Sequence, residues 1–254
     1  MPQRLTNPGW SRIEIGGKPA DVFEPTDGPA LRLSLLWLHS QDEASPANNA
    51  ALTARLNSRR LPCVAPFTGR SWWVDRIGSE FDATLTAERH VIANVLPWMK
   101  ERWAGIGVAG IEMGGQGAVR LALKHPKLFP VAAGLGSALD FHELHGRGTP
   151  LDAMYDSRER ARQDTATLYM HATDWPPHLW FACDPEDPWY RGNDRLHEKL
   201  SAYGVPHTAD LESSGSDYFE AMLEPMLDFI VTGLQRESRR LVVTGHSDLR
   251  GLVL

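Results

Sequence analysis

Residues 31–39, LRLSLLWLH, form an almost unbroken apolar run, the pattern of a strand buried on both faces. Similar runs return at LPCVAP (61–66), AGIGVAGI (104–111), FPVAAGLGS (129–137) and HLWFAC (178–183), and PHTADLE (206–212) completes the set. Between them the apolar positions take helical spacing. PANNAALTARLNSR (46–59) predicts a helix with Ser45 as N-cap and Pro46 at its first position. Residues 81–103 predict one long amphipathic helix with Leu85, Val91, Val95, Trp98 and Met99 on a stripe, kinked or split by Pro97. GGQGAVRLALKHP predicts a helix over 114–125 that stops at Pro126, and two more are expected near 190–203 and 217–236. SRIEI and ADVFEP predict an opening hairpin around Gly16-Gly17. Residues 140–177 show no period, and the tail 241–254 reads as an extra strand or a loose segment. Strand and helix alternate without a repeat or a linker. That pattern predicts a single α/β domain over 1–254, a mostly parallel central sheet with helices on both faces.

Composition narrows the function classes. A chain of 254 residues can bury a substantial core. A net charge of −6 without a basic block argues against a nucleic-acid binder. The two cysteines, Cys63 and Cys183, lie in or end apolar runs and read as small buried hydrophobes rather than a disulfide or zinc framework. The N-terminus lacks the apolar core of a signal peptide, and no run is long enough to span a membrane. A cytoplasmic location is the default expectation.

The candidate chemistry sits in GIEMGGQG, where a strand, a sharp turn and a helix follow one another, with Glu112 at the apex and Gly110, Gly114 and Gly115 around it. Five segments in order then resemble the esterase branch of the α/β-hydrolases that holds S-formylglutathione hydrolases and mycolyltransferases. LLWLHS is similar to the family's strand ending in His-Gly, and SWWVDR followed by NVLPWMKERW to its Ser-Trp-Tyr loop and next helix. GIEMGGQGAVRLALKHPKLFPVAAGLGS is similar to its Gly-x-Ser-Met-Gly-Gly nucleophile elbow. FACDPEDPWYRGNDRLHEKL and LESSGSDYFEAMLEPMLDFI resemble its acid-bearing strand end and its final histidine turn. The resemblance implies an α/β-hydrolase fold over roughly residues 31–230.

It also implies which positions would carry catalysis, and two of them depart from the pattern. Glu112 stands at the nucleophile position, Ser216 at the histidine position and Asp187 at the acid position, with Asp184 as the competing acid. Met113, Ser40 and Gln41 stand where the oxyanion hole forms, the family's His-Gly being His39-Ser40 here. Serine acyl transfer needs a hydroxyl, a base and a group that orients the base. Glu112 removes the first and Ser216 the second. The expectation is a pseudo-hydrolase that binds a small molecule or a partner, with the Glu112 carboxylate folded into the oxyanion hole on Met113 N–H and the loop near Ser40-Gln41. The alternative is an active hydrolase that uses Glu112 as nucleophile or base; a decayed site is the third outcome.

Other residues are weighed beside these. His39, next to the oxyanion loop, reads as structural, with a base as the lesser alternative. His142 and His145 stand at i, i+3 in HELH, short of the i, i+4 zinc pattern, and read as solvated loop histidines; no metal or cofactor is expected. TGHSD (244–248) reads as tail. Trp37, Trp98, Trp103 and Trp180 read as packing. Trp72, Trp73, Trp175 and Trp189 lie in loops, where they either cap the core edge or wall a pocket for an aryl or sugar-like ligand. An oligomer through an edge strand at 241–244 stays open.

Overall fold

The computed structural model describes residues 3–171 and 173–243. Among the described residues, nine strands form one sheet in the order β1-β2-β3-β5-β4-β6-β7-β8-β9. They are β1 (Gln3–Arg4), β2 (Trp10–Ile15), β3 (Lys18–Phe23), β4 (Leu33–Leu38), β5 (Cys63–Pro66), β6 (Gly105–Ile111), β7 (Val131–Leu135), β8 (His178–Ala182) and β9 (Thr208–Asp210). The first three join antiparallel, β3 meets β5 antiparallel, and every later pairing is parallel. The hairpin between β2 and β3 turns on Gly16 and Gly17 at φ +57° and +74°, a left-handed pair that suits the twist of the strands it joins.

Alternation along the strands divides the core into two layers. Leu36 and Leu38 of β4, with Phe181 of β8, pack on one face with Val91, Val95, Met99, Val119 and Leu196. Leu35 and Trp37, with Trp180, pack on the other with Leu52, Leu56, Leu223 and Leu227. The first face is covered by α2 (Ala87–His90), α3 (Leu96–Lys100), α4 (Met113–Lys124) and, after the short α5 (Leu151–Met154) and α6 (Arg158–Arg162), α7 (Tyr190–Ala202). The second is covered by α1 (Ala50–Ser58) and α8 (Tyr218–Val243).

Three expectations are corrected. The helix over 46–59 is two pieces: a 3₁₀ turn, Pro46–Asn48, capped by Ser45, and then α1, capped by Asn49, whose side chain accepts from Leu52 N–H. The helix over 81–103 starts only at Ala87, behind the N-cap Thr86. Asp82 Oδ1 accepts from the N–H groups of Thr84 and Leu85 at 2.8 and 2.9 Å and holds the preceding residues in a turn. The same segment passes through a π turn, Val91–Val95, just before Pro97, whose missing N–H disrupts the regular ladder. The strand expected at 241–244 is not formed over 241–243, where α8 continues; residues 244–254, including TGHSD, lie outside the described residues. Both cysteines are buried and free, as expected. No helix among the described residues is long and apolar enough to cross a membrane.

Candidate functional site

The elbow is built from close backbone packing. β6 runs into Glu112 at φ +53°, ψ −112°, and α4 starts at the next residue. A side chain on Gly114 would place its Cβ 1.9 Å from the Leu38 carbonyl oxygen, and one on Gly110 would meet Gly114 carbonyl carbon at 2.4 Å. Only glycine lets α4 approach β4 and β6 this closely. The strained apex typically costs about 1–3 kcal/mol. Its backbone is fully engaged: Glu112 N–H donates to Leu135 O at 2.9 Å, and Glu112 O accepts from Gln116 and Ala138 N–H at 2.9 and 3.1 Å.

The half-buried Glu112 side chain turns toward the loop after β4, where Gln41 Nε2 donates to its Oε1 at 3.1 Å. The expectation of a bond to that loop is met through a side-chain amide. Among the described residues the carboxylate receives none from Met113 N–H, which corrects the other half of the expected arrangement. Ser40 is otherwise occupied: its hydroxyl donates to Asp42 and its carbonyl accepts from His39 Nδ1.

His39 organises this loop. Its Nε2 accepts from Thr68 N–H at 3.1 Å, which places the ring proton on Nδ1, 2.8 Å from Ser40 O. Burial pushes its pKa down to about 4. Both nitrogens are used, and the ring is 2% exposed between Phe67 and Trp73, so His39 is a structural residue.

Trp72 and Trp73 are core residues, not walls of an open pocket; each is 0% exposed. Consecutive left-handed φ values, +55° and +53°, turn the chain so that both indoles point inward. Trp73 packs on α4 where Gly117 leaves room, and its Nε1 donates to His39 O at 3.1 Å. Trp72 stacks on Phe141 and its carbonyl accepts from Gln116 Nε2. The pair braces the elbow helix from behind.

The acid position lies beyond β8. Asp187 is half-buried, and burial raises its carboxyl pKa, opposed by the Trp189 N–H that donates to Oδ1 at 2.7 Å. Trp189 is half-buried, packs on the core and precedes α7. Asp184 instead ties the two loops: it accepts from Glu186 N–H at 2.8 Å and from Gly215 N–H at 3.3 Å. Ser216 is exposed. The Phe219 ring, 41% exposed, covers Gly136 at the end of β7, where a Cβ would meet Phe219 Cε1 at 2.9 Å and Asp187 Oδ2 at 3.4 Å. Glu112, Asp187 and Ser216 thus share the carboxyl end of the parallel strands, and among the described residues no hydrogen bond joins any two of them. Among the described residues no histidine bonds to or pairs with Glu112 or Asp187.

The remaining candidates fall elsewhere. His145 Nε2 bonds Tyr155 O at 2.8 Å, while His142 Nδ1 is buried without a partner. No group of three or more metal-ligating side chains occurs among the described residues. Trp175 lies at the opposite end of the sheet, beside a cavity with Lys100 and Lys127. Two supports escaped the sequence. Gln116 and Arg120 are fully buried on α4, four and eight residues beyond the apex, and that helical spacing was the available signal. Arg120 pairs with Glu88 of α2 and Asp164, and Asp164 accepts from Tyr155 OH at 2.7 Å; this network ties the irregular 140–177 segment to the elbow helix.

No family model matches the chain. Esterase Rv1288 of Mycobacterium tuberculosis (strain ATCC 25618 / H37Rv) is 27% identical over 208 residues, 69% of this chain and 46% of that protein, so the chain spans about half the length of that curated relative. Among solved structures, an S-formylglutathione hydrolase from Agrobacterium tumefaciens superposes with TM-score 0.70 at 13% identity, covering 92% of this chain and 98% of its own. FphF of Staphylococcus aureus, a fluorophosphonate-binding serine hydrolase, gives 0.66 at 15%, covering 91% and 97%. Mycobacterium tuberculosis MPT51 (FbpC1) gives 0.62 at 16%, covering 91% and 99%. The chain therefore has the α/β-hydrolase fold, with its sequence similarity directed to an esterase.

Proposed function

We propose that this esterase-like α/β-hydrolase is a pseudo-hydrolase: it keeps the nucleophile-elbow backbone at the carboxyl end of the sheet and binds a small molecule or a partner there without cleaving esters. The observation that carries this reading is the Glu112 carboxylate at the elbow, held by Gln41, with no imidazole on it or on Asp187 among the described residues. A carboxylate at this position supplies its own anion to a turn that in a serine hydrolase stabilises a developing one. The acid at position 187 is left with no base to orient. Burial of Trp72 and Trp73 removes the main support for an aromatic-walled pocket, and Phe219 and Trp189 are the aromatic groups left beside Asp187 to receive an aryl ligand. Use of Glu112 as a nucleophile would still require a base for the water that cleaves the resulting ester.

The test is turnover of p-nitrophenyl acetate together with labelling by a fluorophosphonate. The wild-type protein is expected to show neither above buffer. Turnover that disappears in Glu112→Ala would overturn the proposal and favour carboxylate chemistry. The double variant Glu112→Ser/Ser216→His is expected to gain labelling, because it restores hydroxyl and imidazole on a backbone that is already set.

A further inference from the structure

Two cavities of about 420 Å³ each lie at the opposite end of the sheet, with Lys100 and Leu128 common to both. The first opens at the amino ends of the parallel strands, against Gly105 and Ile106 of β6, Pro130 before β7 and Pro177 before β8. β6 separates this end from Glu112 by its whole length, roughly 20 Å at 3.3 Å per residue. Each cavity is of a size that accepts small molecules, commonly about 300–1,000 Å³.

The lining has two characters. Ile106, Trp175 and Leu234 give the first cavity an apolar floor, and Ile92, Leu96 and Pro97 continue it through the second. Lys100 stands at the junction and Lys127 beside it, both exposed and neither in an ion pair among the described residues. The acidic side chains nearby are mostly matched. Glu237 pairs with His178 at 3.2 Å and Arg240 at 2.8 Å, and Glu101 with Arg102 at 3.3 Å, which leaves Asp174 at the rim. In a chain of net charge −6, two unpaired lysines over an elongated apolar floor are complementary to an anion with an apolar tail. Lysine presents a compact point charge suited to a single carboxylate.

We propose that this groove binds an amphiphilic carboxylate, a medium-chain fatty acid, with its headgroup on Lys100 and Lys127 and its chain along Leu128 and Leu96. The site is independent of the elbow and of the function proposed for it.

Decanoate is the probe, titrated into the 254-residue chain by calorimetry, with saturation-transfer NMR to read which protons are buried. Saturable binding is expected to tighten about twofold to fourfold per added methylene from octanoate to decanoate, given about 0.8 kcal/mol per buried methylene. Decanol, with the same tail and no charge, is expected to bind at least fivefold more weakly. Lys100→Glu/Lys127→Glu, checked for an unchanged melting curve, is expected to weaken decanoate at least tenfold. Glu112→Gln is expected to leave the affinity unchanged. Absence of saturable binding, equal affinity in the lysine variant, or a changed affinity in Glu112→Gln would each overturn the proposal, the last by placing the ligand beside the elbow.

Discussion

The elbow, residues 110–120, and the turn that faces it, residues 210–219, are held in very different ways. At the elbow the N–H and C=O of Glu112 are both bonded, the apex is strained, and Gly114 lies against a carbonyl of β4. Its supporting side chains, Gln116 and Arg120, are fully buried. At the facing turn, Ser214, Gly215, Ser216 and Asp217 are exposed, and a 3.0 Å bond from Cys183 N–H to Asp210 O and a 3.3 Å bond from Gly215 N–H to Asp184 link it to the acid loop. The elbow backbone cannot change without disturbing three elements of the core. Ser216 is exposed, and the half-buried Glu112 side chain bonds Gln41 in the loop after β4. Geometry and chemistry are therefore separable here: packing retains the frame, and nothing in the frame requires serine or histidine.

The largest effect that can break this comparison is at Gly114. A methyl group there overlaps a backbone carbonyl and has no flexible neighbour to displace. Gly114→Ala is expected to abolish cooperative folding, a loss of more than about 4 kcal/mol. Ser216→Ala is expected to shift stability by less than about 0.5 kcal/mol. Thermal melts followed by circular dichroism check both. A Gly114→Ala protein that melts like the wild type would show that the elbow is not the rigid region.

Acid provides the next test. His39, behind the elbow loop, and the fully buried His90 are each held down to about 4 by burial. A histidine whose folded pKa lies below its unfolded value of about 6.5 contributes stability that is complete above 6.5 and falls as the pH drops toward 4. Each contributes up to about 3 kcal/mol across that window. Glu88, held to about 2 by His125, Arg120 and Lys124 against the cost of burying it, acts in the next window: its contribution is present above about 4.5 and is lost as the pH falls toward 2. Urea denaturation at pH 7, 5 and 4 is expected to show a falling midpoint, and His39→Gln is expected to flatten the slope between pH 6.5 and 4. An unchanged slope in that variant would detach His39 from the elbow's stability.

The strands and the elbow were legible in the sequence because burial on both faces and the need for close backbone contact each restrict residue choice sharply. β4, β6 and β8 could hardly be anything but central strands, and Gly110 and Gly114 mark the only way into α4. Helix ends were less legible because local side-chain bonds compete there. Asp82 captures two N–H groups and delays a helix that the apolar stripe would have started sooner. Trp72 and Trp73 were readable as loop residues but not as buried ones, because their inward turn depends on two left-handed residues that no glycine announces. Gln41 was placed near the apex by the resemblance, yet its side-chain bond to Glu112 joins residues 71 positions apart and depends on how two loops meet. The groove at the far end gathers Lys100, Lys127 and Trp175 from segments without any shared period.

The smallest expected effect sharpens the comparison most, because it asks whether Gln41 and Glu112 are part of the frame or of the variable chemistry. The pair is partly exposed, and its single neutral-to-charged hydrogen bond competes with water. Such a bond contributes about 1–2 kcal/mol, or roughly 2–8 °C in melting temperature for a chain of this size. Gln41→Ala is expected at the lower end of that range, about 2 °C, because water can replace the amide. If the loss matched that of a buried support such as Gln116→Ala, the carboxylate would belong to the frame, and its position at the apex would be a structural requirement of this chain. A small loss in Gln41→Ala, with none in Glu112→Gln, would instead leave the carboxylate free to exchange Gln41 for a ligand donor, as a binding site requires.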